Sequence, residues 1–489
     1  PKTHELFRQM IREFVEKEVK PIAAEVDENE RFPMETVEKM AKIGIMGIPI
    51  PKEYGGAGGD NLMYAMAVEE LSKACATTGV IVSAHTSLGT WPILKFGNEK
   101  QKQKYLPKLA SGEWIGAFGL TEPNAGTDAA GQQTMAVQDP ETGEWILNGA
   151  KIFITNAGYA HVYVVFAMTD KSKGLKGISM FFVEKGTKGL STGNHEDKMG
   201  IRTSNTCDVV LEDCRIPASA LVGKEGEGFA IAMKTLDQAR SWIGCIAVGI
   251  AQRGIQEAIA YGKERIQFGK PVIKNQALQF KIADMEIKTE TARQMVAHAL
   301  TKMDLGLPYG KESAIAKCYA GDIAMEVSSE AIQIFGGYGY SREYPVEKLL
   351  RDEYQQGNVV FELDEHFLIV IFMDSIIIKI NLLYNKIAQI SFYNKFLGKI
   401  KNIGIGSTLR EFMNTYPTAQ YDDDQNYFYI PNSIYENMAF FFEAPYSFEL
   451  DNKLEEITIN DSSLLIICRG NISDVLLKSQ QSTNQYNTK

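Results

Sequence analysis

Several things this chain lacks narrow what it can be. Its six cysteines (Cys75, Cys207, Cys214, Cys245, Cys318, Cys468) are scattered, and no two stand as C-x-x-C. That excludes a disulfide-stapled scaffold and points to thiols idling in a reducing cytosol. The six histidines are equally dispersed, and none pairs with a Cys or carboxylate at ligand spacing, so no metal site is expected. Positive charge is in deficit. A formal net charge of -10 argues against a nucleic-acid or anionic-membrane surface, although it leaves room for a local basic pocket. No secretory signal opens the chain: "PKTHELFRQMIREFVEKEVK" carries apolar residues at helical spacing with charges between them. An initiator Met is missing too, and trimming by a few residues is the expectation. The most apolar run, "HFLIVIFMDSIIIKINLLY" (366–384), is interrupted by Asp374, Lys379 and Asn381. Such groups are costly in lipid, so two short strands around a polar turn fit better than a membrane span.

What is present is an ordinary soluble composition, 45% hydrophobic and 23% charged, in 489 residues. That length predicts two or three domains. Residues 1–115 read as helical, with apolar steps of three and four in "NLMYAMAVEELSKACATTGVIVSAHTSLG". Pro51 and "EYGGAGGD" (53–60) punctuate them as a flexible loop. Over 116–222 the period drops towards two, and "EWILNGAKIFITNAG", "HVYVVFAMTD", "GISMFFVEKG" and "TCDVVLEDCRIP" read as strands between Gly, Asn and Asp turns. The helical period returns for 223–360. Beyond about 365 the usage shifts: Ala nearly vanishes while Ile, Asn, Tyr and Phe crowd in. Residues 365–475 are expected to form a separate strand-rich α+β module. It would include a short helix at "GSTLREFMNTYP", where Thr408 and Glu411 stand at capping-box spacing. The polar stretch 476–489 is expected to be disordered.

The most informative stretch is "AFGLTEPNAGTDAAGQQT" (117–134). Turn chemistry accounts for Asn124 and Gly126, but not for so many Thr hydroxyls beside small residues. A loop of this kind can bring N–H groups and hydroxyls close to a polar ligand. With "NGAKIFITNAG", "DKMGIRTSNT", "ERIQFGKP" and "QIFGGYGYSREYPVEKLLRD", in that order, the chain resembles the acyl-CoA dehydrogenase family over about residues 1–352. The resemblance is strongest to bacterial butyryl-CoA (short-chain) members. It implies an N-terminal helical domain, a central β-barrel-like domain and a C-terminal helical bundle, here truncated at its last helix. It also implies FAD as cofactor, an acyl-CoA substrate desaturated between its α and β carbons, and an electron-transferring flavoprotein as acceptor. A bacterial cytoplasmic location goes with it.

Residue by residue, the resemblance puts Phe118, Leu120 and Thr121 against the isoalloxazine, and Gly126 and Thr127 against the pyrophosphate and the thioester. Phe153 matches an aromatic, usually Trp, that packs on the ring, and Phe keeps the flat apolar surface. Thr155 matches a hydroxyl on the hydride-accepting nitrogen. Arg265, Gln267, Phe268 and Gln276 match a group that reaches the FAD of a neighbouring subunit, where an Arg fork suits a pyrophosphate. Gln333, Gly336 and Gly337 match its adenosine end. These contacts imply at least a dimer. Asp237 and Arg240 in "TLDQARSW" match positions that frame the pocket at the CoA end; as bare sequence they are a charged helical turn.

One expected feature is missing. Taking an α-proton needs a carboxylate beside that carbon, desolvated so that its pKa rises towards the working pH. The family places a Glu about eight residues after the "RD" that stands here as Arg351–Asp352. That position holds Val360, and the alternative position, before the pocket Arg, holds Ala239. Glu362 follows an aromatic but lies two residues late, and Glu353 is too early. Two functions therefore stand open: an intact dehydrogenase with Glu362 or another group as base, or a dead or weak dehydrogenase body fused, naturally or by engineering, to a binding or immunity-type module with a protein partner of its own.

Overall fold

The computed structural model describes residues 2–356 and, past them, strand segments alone. The chain divides into two compact units, Pro1–Val360 and Phe361–Lys489. In the first, helices α1 (Lys2–Phe14), α2 (Ala23–Glu28), α3 (Met34–Lys42), α4 (Asn61–Ala74), α5 (Ala76–Ser83), α6 (Trp91–Phe96) and α7 (Glu99–Ala110) precede the sheet. Short polar side chains start two of them. Asp60 accepts the Met63 N–H at 2.7 Å, and Asn98 and Gln101 form a reciprocal capping box on α7. Between α5 and α6 the helix widens into a π-turn, Ala84–Thr90. The glycine-rich loop 53–60 is not slack: the N–H groups of Gly56, Ala57, Gly58 and Gly59 donate to the carbonyls of Pro51, Gly47, Ile50 and Ile48. A Cβ on Gly56 would stand 2.0 Å from the Ile50 carbonyl oxygen, so its glycine serves close packing rather than mobility.

The sheet comprises β1 (Gly116–Gly119), β2 (Met135–Gln138), β3 (Trp145–Thr155), β4 (Val162–Met168), β5 (Ile178–Glu184), β6 (Leu190–His195), β7 (Thr206–Ile216) and β8 (Leu221–Val222). Its order is β6-β7-β3-β2-β4-β5-β8, with β1 pairing parallel to β4. Strand β4 is apolar throughout and wholly buried, and β5 nearly so, with Ser179 and the partly exposed Glu184 as its polar residues, as expected of strands covered on both faces.

Helix α8 (Gly228–Glu264) then runs for 37 residues, about 55 Å at the usual rise, and packs with α9 (Gln276–Asp304) and α10 (Gly310–Phe335). Small residues let these helices approach: a Cβ on Gly249 would lie 2.7 Å from the Glu69 carbonyl oxygen of α4. A hairpin, β9 (Ile266–Gln267) and β10 (Lys270–Pro271), links α8 to α9.

The last described helix, α11 (Val346–Gln356), is held by charges from three regions of the fold. Asp27 of α2 receives Arg202 at 2.7 Å, Arg351 at 3.4 Å and Lys348 at 3.7 Å. Burial alone would raise the Asp27 carboxyl, but Lys348, Arg202 and Arg351 outweigh it and hold it below the usual range. Asp352 pairs with Lys348 and accepts the Ile201 N–H at 2.8 Å. Ile201 is buried with φ of +51°, a conformation a β-branched residue adopts only when its surroundings impose it.

In the second unit the described strands form two antiparallel sheets. One contains β11 (Val370–Met373), β12 (Ile376–Leu383) and β13 (Lys386–Phe392). The other contains β14 (Gln420–Asp422), β15 (Tyr427–Tyr429), β16 (Met438–Phe442), β17 (Leu454–Ile459) and β18 (Leu465–Cys468). Strands β11 and β12 flank the polar pair Asp374–Ser375, where the apolar run was expected to turn. The expected helix around Thr408–Glu411, the tail 476–489 and Glu362 lie outside the described residues. Among the described residues no helix is long and apolar enough to cross a membrane, and no cluster of three metal-ligating side chains occurs.

Candidate functional site

A cavity of about 490 Å³ opens where the sheet, the π-turn and α8 meet. From β1 and the loop after it come Phe118, Leu120 and Thr121, then Gly126 to Ala130. Strand β3 supplies Phe153, Ile154 and Thr155, the π-turn supplies Ala84 and Leu88, and α8 supplies Phe229, Met233, Leu236 and Arg240. The α8 residues recur at i, i+4, i+7 and i+11, so one helical stripe forms a wall.

Each wall is fixed from behind. His85 in the π-turn is fully buried: its Nε2 lies 3.1 Å from the Leu109 carbonyl, and its Nδ1 accepts the Gly116 N–H at 3.1 Å. Burial pulls its pKa down to about 4, so the ring is neutral and its Nε2 carries the proton. Gly89 and Gly116 meet backbone to backbone, and a Cβ on Gly89 would lie 2.6 Å from the Gly116 carbonyl carbon. Phe153 has φ of +58° at a register shift in β3, and its side chain is 60% exposed. That is the signature of a bulge that re-aims a side chain, here into the cavity.

Behind the loop, Lys151 is completely buried. Its ammonium donates to the Leu120 carbonyl at 3.2 Å, Glu122 Oε1 at 2.7 Å and Gln132 Oε1 at 2.9 Å. Glu122 also accepts the N–H groups of Gln133 and Thr134, at 2.5 and 3.0 Å. Burial draws Lys151 down to about 8, against the opposing pull of Glu122. Burial alone would raise Glu122, but Lys151 outweighs it, so the two stand as an ion pair at neutral pH.

Of the residues singled out from the sequence, Phe118, Leu120, Thr121, Gly126, Thr127, Phe153, Thr155 and Arg240 all line this cavity. Asp237 does not; it pairs with Arg240 one helical turn away and so acts on the wall through it. Arg265, Gln267 and Phe268 lie on the β9–β10 hairpin, Gln276 opens α9, and Gln333, Gly336 and Gly337 close α10, all outside the cavity. Two of these groups meet: the Arg265 guanidinium sits 5.4 Å from the Tyr338 ring centre. Phe268 is 97% exposed with φ of +53°, and Gly336 has φ of +61° at the helix end. Among the described residues the one carboxylate lining the cavity is Asp128. Glu353, on α11, does not reach it and is buried elsewhere. Sequence reasoning passed over Ala84, Leu88, Phe229, Met233 and Leu236. The helical stripe on α8 was the one available signal.

The cavity suits a flat aromatic ring with a polar rim. Phe118 and Phe153 offer apolar faces, while Thr121, Thr127 and Thr155 offer hydroxyls at separate points. Comparison with known proteins agrees. Family models for the acyl-CoA dehydrogenase N-terminal, middle and C-terminal domains match residues 1–113, 117–214 and 226–353. The short-chain specific acyl-CoA dehydrogenase of Clostridium acetobutylicum is 58% identical over 348 residues, covering 71% of this chain and 91% of that one. A chain in a structure of the electron transferring flavoprotein of Acidaminococcus fermentans aligns with a TM-score of 0.72 at 49% identity, covering 74% of this chain and 94% of that one. Butyryl-CoA dehydrogenase of Megasphaera elsdenii aligns with a TM-score of 0.72 at 47% identity, covering 73% and 94%. Other solved relatives hold FAD or FADH2.

Proposed function

The chain belongs to the acyl-CoA dehydrogenase family, and on that premise we propose that it binds FAD and oxidises short-chain acyl-CoA thioesters to trans-2-enoyl-CoA. The observation that carries the reading is the convergence of Phe118, Thr121, Thr127, Phe153, Thr155 and Arg240 on one cavity. Bound FAD supplies the hydride acceptor. The chain's own residues hold and orient. Phe153 and Phe118 present apolar faces to the ring, the hydroxyls of Thr121 and Thr155 satisfy its polar edge, and Phe229, Met233 and Leu236 exclude water from the acyl chain. Asp237 fixes the Arg240 guanidinium at the mouth. Electrons leave to an electron-transferring flavoprotein. A second copy of the chain supplies Arg265, Gln267, Phe268, Gln276, Gln333, Gly336 and Gly337 to the nucleotide end of the cofactor, which gives the exposed Phe268 a role. The α-proton goes to a carboxylate, with Glu362 the candidate.

One observation favours a second reading, in which the dehydrogenase body is weak or inert and residues 365–475 act as a separate binding module. Among the described residues the single lining carboxylate is Asp128, beside Gly126 and Thr127, which by resemblance meet the pyrophosphate and the thioester; no position at which the family carries its base holds a carboxylate, since Val360 and Ala239 stand there. Purified protein with flavin absorbance that bleaches on anaerobic addition of butyryl-CoA supports the first reading. Absorbance that persists supports the second. Colourless, folded protein that takes up no FAD sinks both. If bleaching is seen and Glu362→Gln leaves its rate unchanged, that residue is not the base.

A further inference from the structure

The flavin reading leaves the buried Lys151 unused, although every hydrogen bond its ammonium makes goes to the cavity loop or its flanks. Resting on that reading, we infer that Lys151 is a positioning residue for the cofactor: it fixes the loop 120–134 and polarises the Leu120–Thr121 peptide towards the ring.

The geometry acts in two ways, and the first is mechanical. The loop leaves β1 at Leu120 and returns at Thr134, and its cavity-lining residues lie between. Lys151 grips the outgoing arm at the Leu120 carbonyl and the Glu122 carboxylate, and the returning arm at Gln132. Glu122 crosses between the arms to the N–H groups of Gln133 and Thr134, and Gln132 Nε2 donates to the Ala129 carbonyl at 2.9 Å. All three ammonium N–H bonds have acceptors, and both carboxylate oxygens have donors, so the pair has little freedom to rearrange. Lys151 also precedes Phe153 and Thr155 on the same strand, which couples both sides of the cavity to one side chain.

The other effect is electrostatic. Every peptide bond among the described residues is trans, so the Leu120 C=O and the Thr121 N–H point in opposite directions. The carbonyl points inwards to the buried ammonium. The Thr121 N–H therefore points away from the ammonium, and Leu120 and Thr121 both line the cavity. A cation on the carbonyl strengthens the N–H as a donor, because hydrogen bonds in a chain polarise one another. A stronger donor at the rim favours the electron-rich reduced flavin over the oxidised one.

The test uses the full chain loaded with FAD. Lys151→Met removes the charge and keeps an unbranched side chain one atom shorter; Lys151→Met/Glu122→Gln also avoids leaving a buried carboxylate unpaired. Two quantities are read: the FAD dissociation constant, from the fluorescence released on dilution, and the reduced fraction of bound FAD against a reference dye. Both variants are expected to hold FAD at least tenfold more weakly. At equal dye potential, both should show a reduced-to-oxidised ratio about tenfold lower, about 30 mV for a two-electron couple. A folded double variant that matches the wild type in both quantities overturns the assignment. So does a double variant that fails to fold, which would show the cluster to be structural only. Wild-type chain that takes up no FAD instead defeats the flavin reading itself, and the two failures are thereby distinguished.

Discussion

Glu353 should make the protein less stable as pH rises from mildly acidic to neutral. Its side chain is 2% exposed on α11, and its Oε2 is buried without a hydrogen-bond partner. Burial pushes its pKa well above the ordinary 4.5; Lys317 opposes the shift, and Asp352 and Asp322 add to it. An acid whose folded-state pKa is raised keeps its proton in the native state after the unfolded chain has released it. Native protein then binds more protons, so stability declines as pH rises from about 4.5 to the folded-state pKa and levels off above it. Each pH unit in that window is worth about 1.4 kcal/mol. Glu353→Gln cannot ionise and loses this slope. Within that window the wild type should therefore lose about 1.4 kcal/mol per pH unit that the variant keeps, about 2–3 °C in melting temperature for a body this large. Melting curves of both proteins across pH 5–8 give the answer. Curves that stay parallel refute the reasoning, because they would mean that the ionised carboxylate finds compensation inside the fold, with Lys317 the cation that opposes the shift.

Asp27→Asn leaves Arg202, Lys348 and Arg351 around a neutral side chain, and should cost about 3 kcal/mol in urea unfolding at pH 7. Because the Asp27 carboxyl is held below the usual range, this deficit should be full at neutral pH and shrink as acid protonates the wild-type group. Phe153→Ala should weaken FAD binding about tenfold with little loss of fold stability, since the ring is 60% exposed; fluorescence titration against a melting curve separates the two. If a second copy covers Phe268, Phe268→Asp should shift the chain towards monomer in sedimentation without changing its circular dichroism.

The broad organisation was readable because periodicity is a repeated signal. The switch from helical steps to alternation and back coincides with α7, β1–β8 and α8, and two of the five family motifs, those at 117–134 and around Phe153, fall on the cavity wall. What escaped were features that depend on residues far apart in the chain. Lys151 reads in isolation as an alternating polar residue of a strand, yet it is buried, because Glu122 and Gln132, far upstream, neutralise and satisfy it. Ala84 and Leu88 sit in a stretch that reads as ordinary helix, and the π-turn that aims them has no local signature. The glycines at 55–59 suggest looseness, but they mark a loop tied tightly to Gly47–Pro51. The positive φ of Phe153 and Ile201 is likewise imposed by partners, since neither residue type seeks it.

The meeting of Gly89 and Gly116 sets a rule for redesign. With main chains in direct contact and His85 tying the same turn to Leu109 and Gly116, that boundary behaves as masonry. If the chamber takes the acyl chain as proposed, longer or branched esters are to be admitted by trimming Leu88, Met233 or Leu236, because enlarging it by shifting the turn would first have to prise apart a pair of touching backbones.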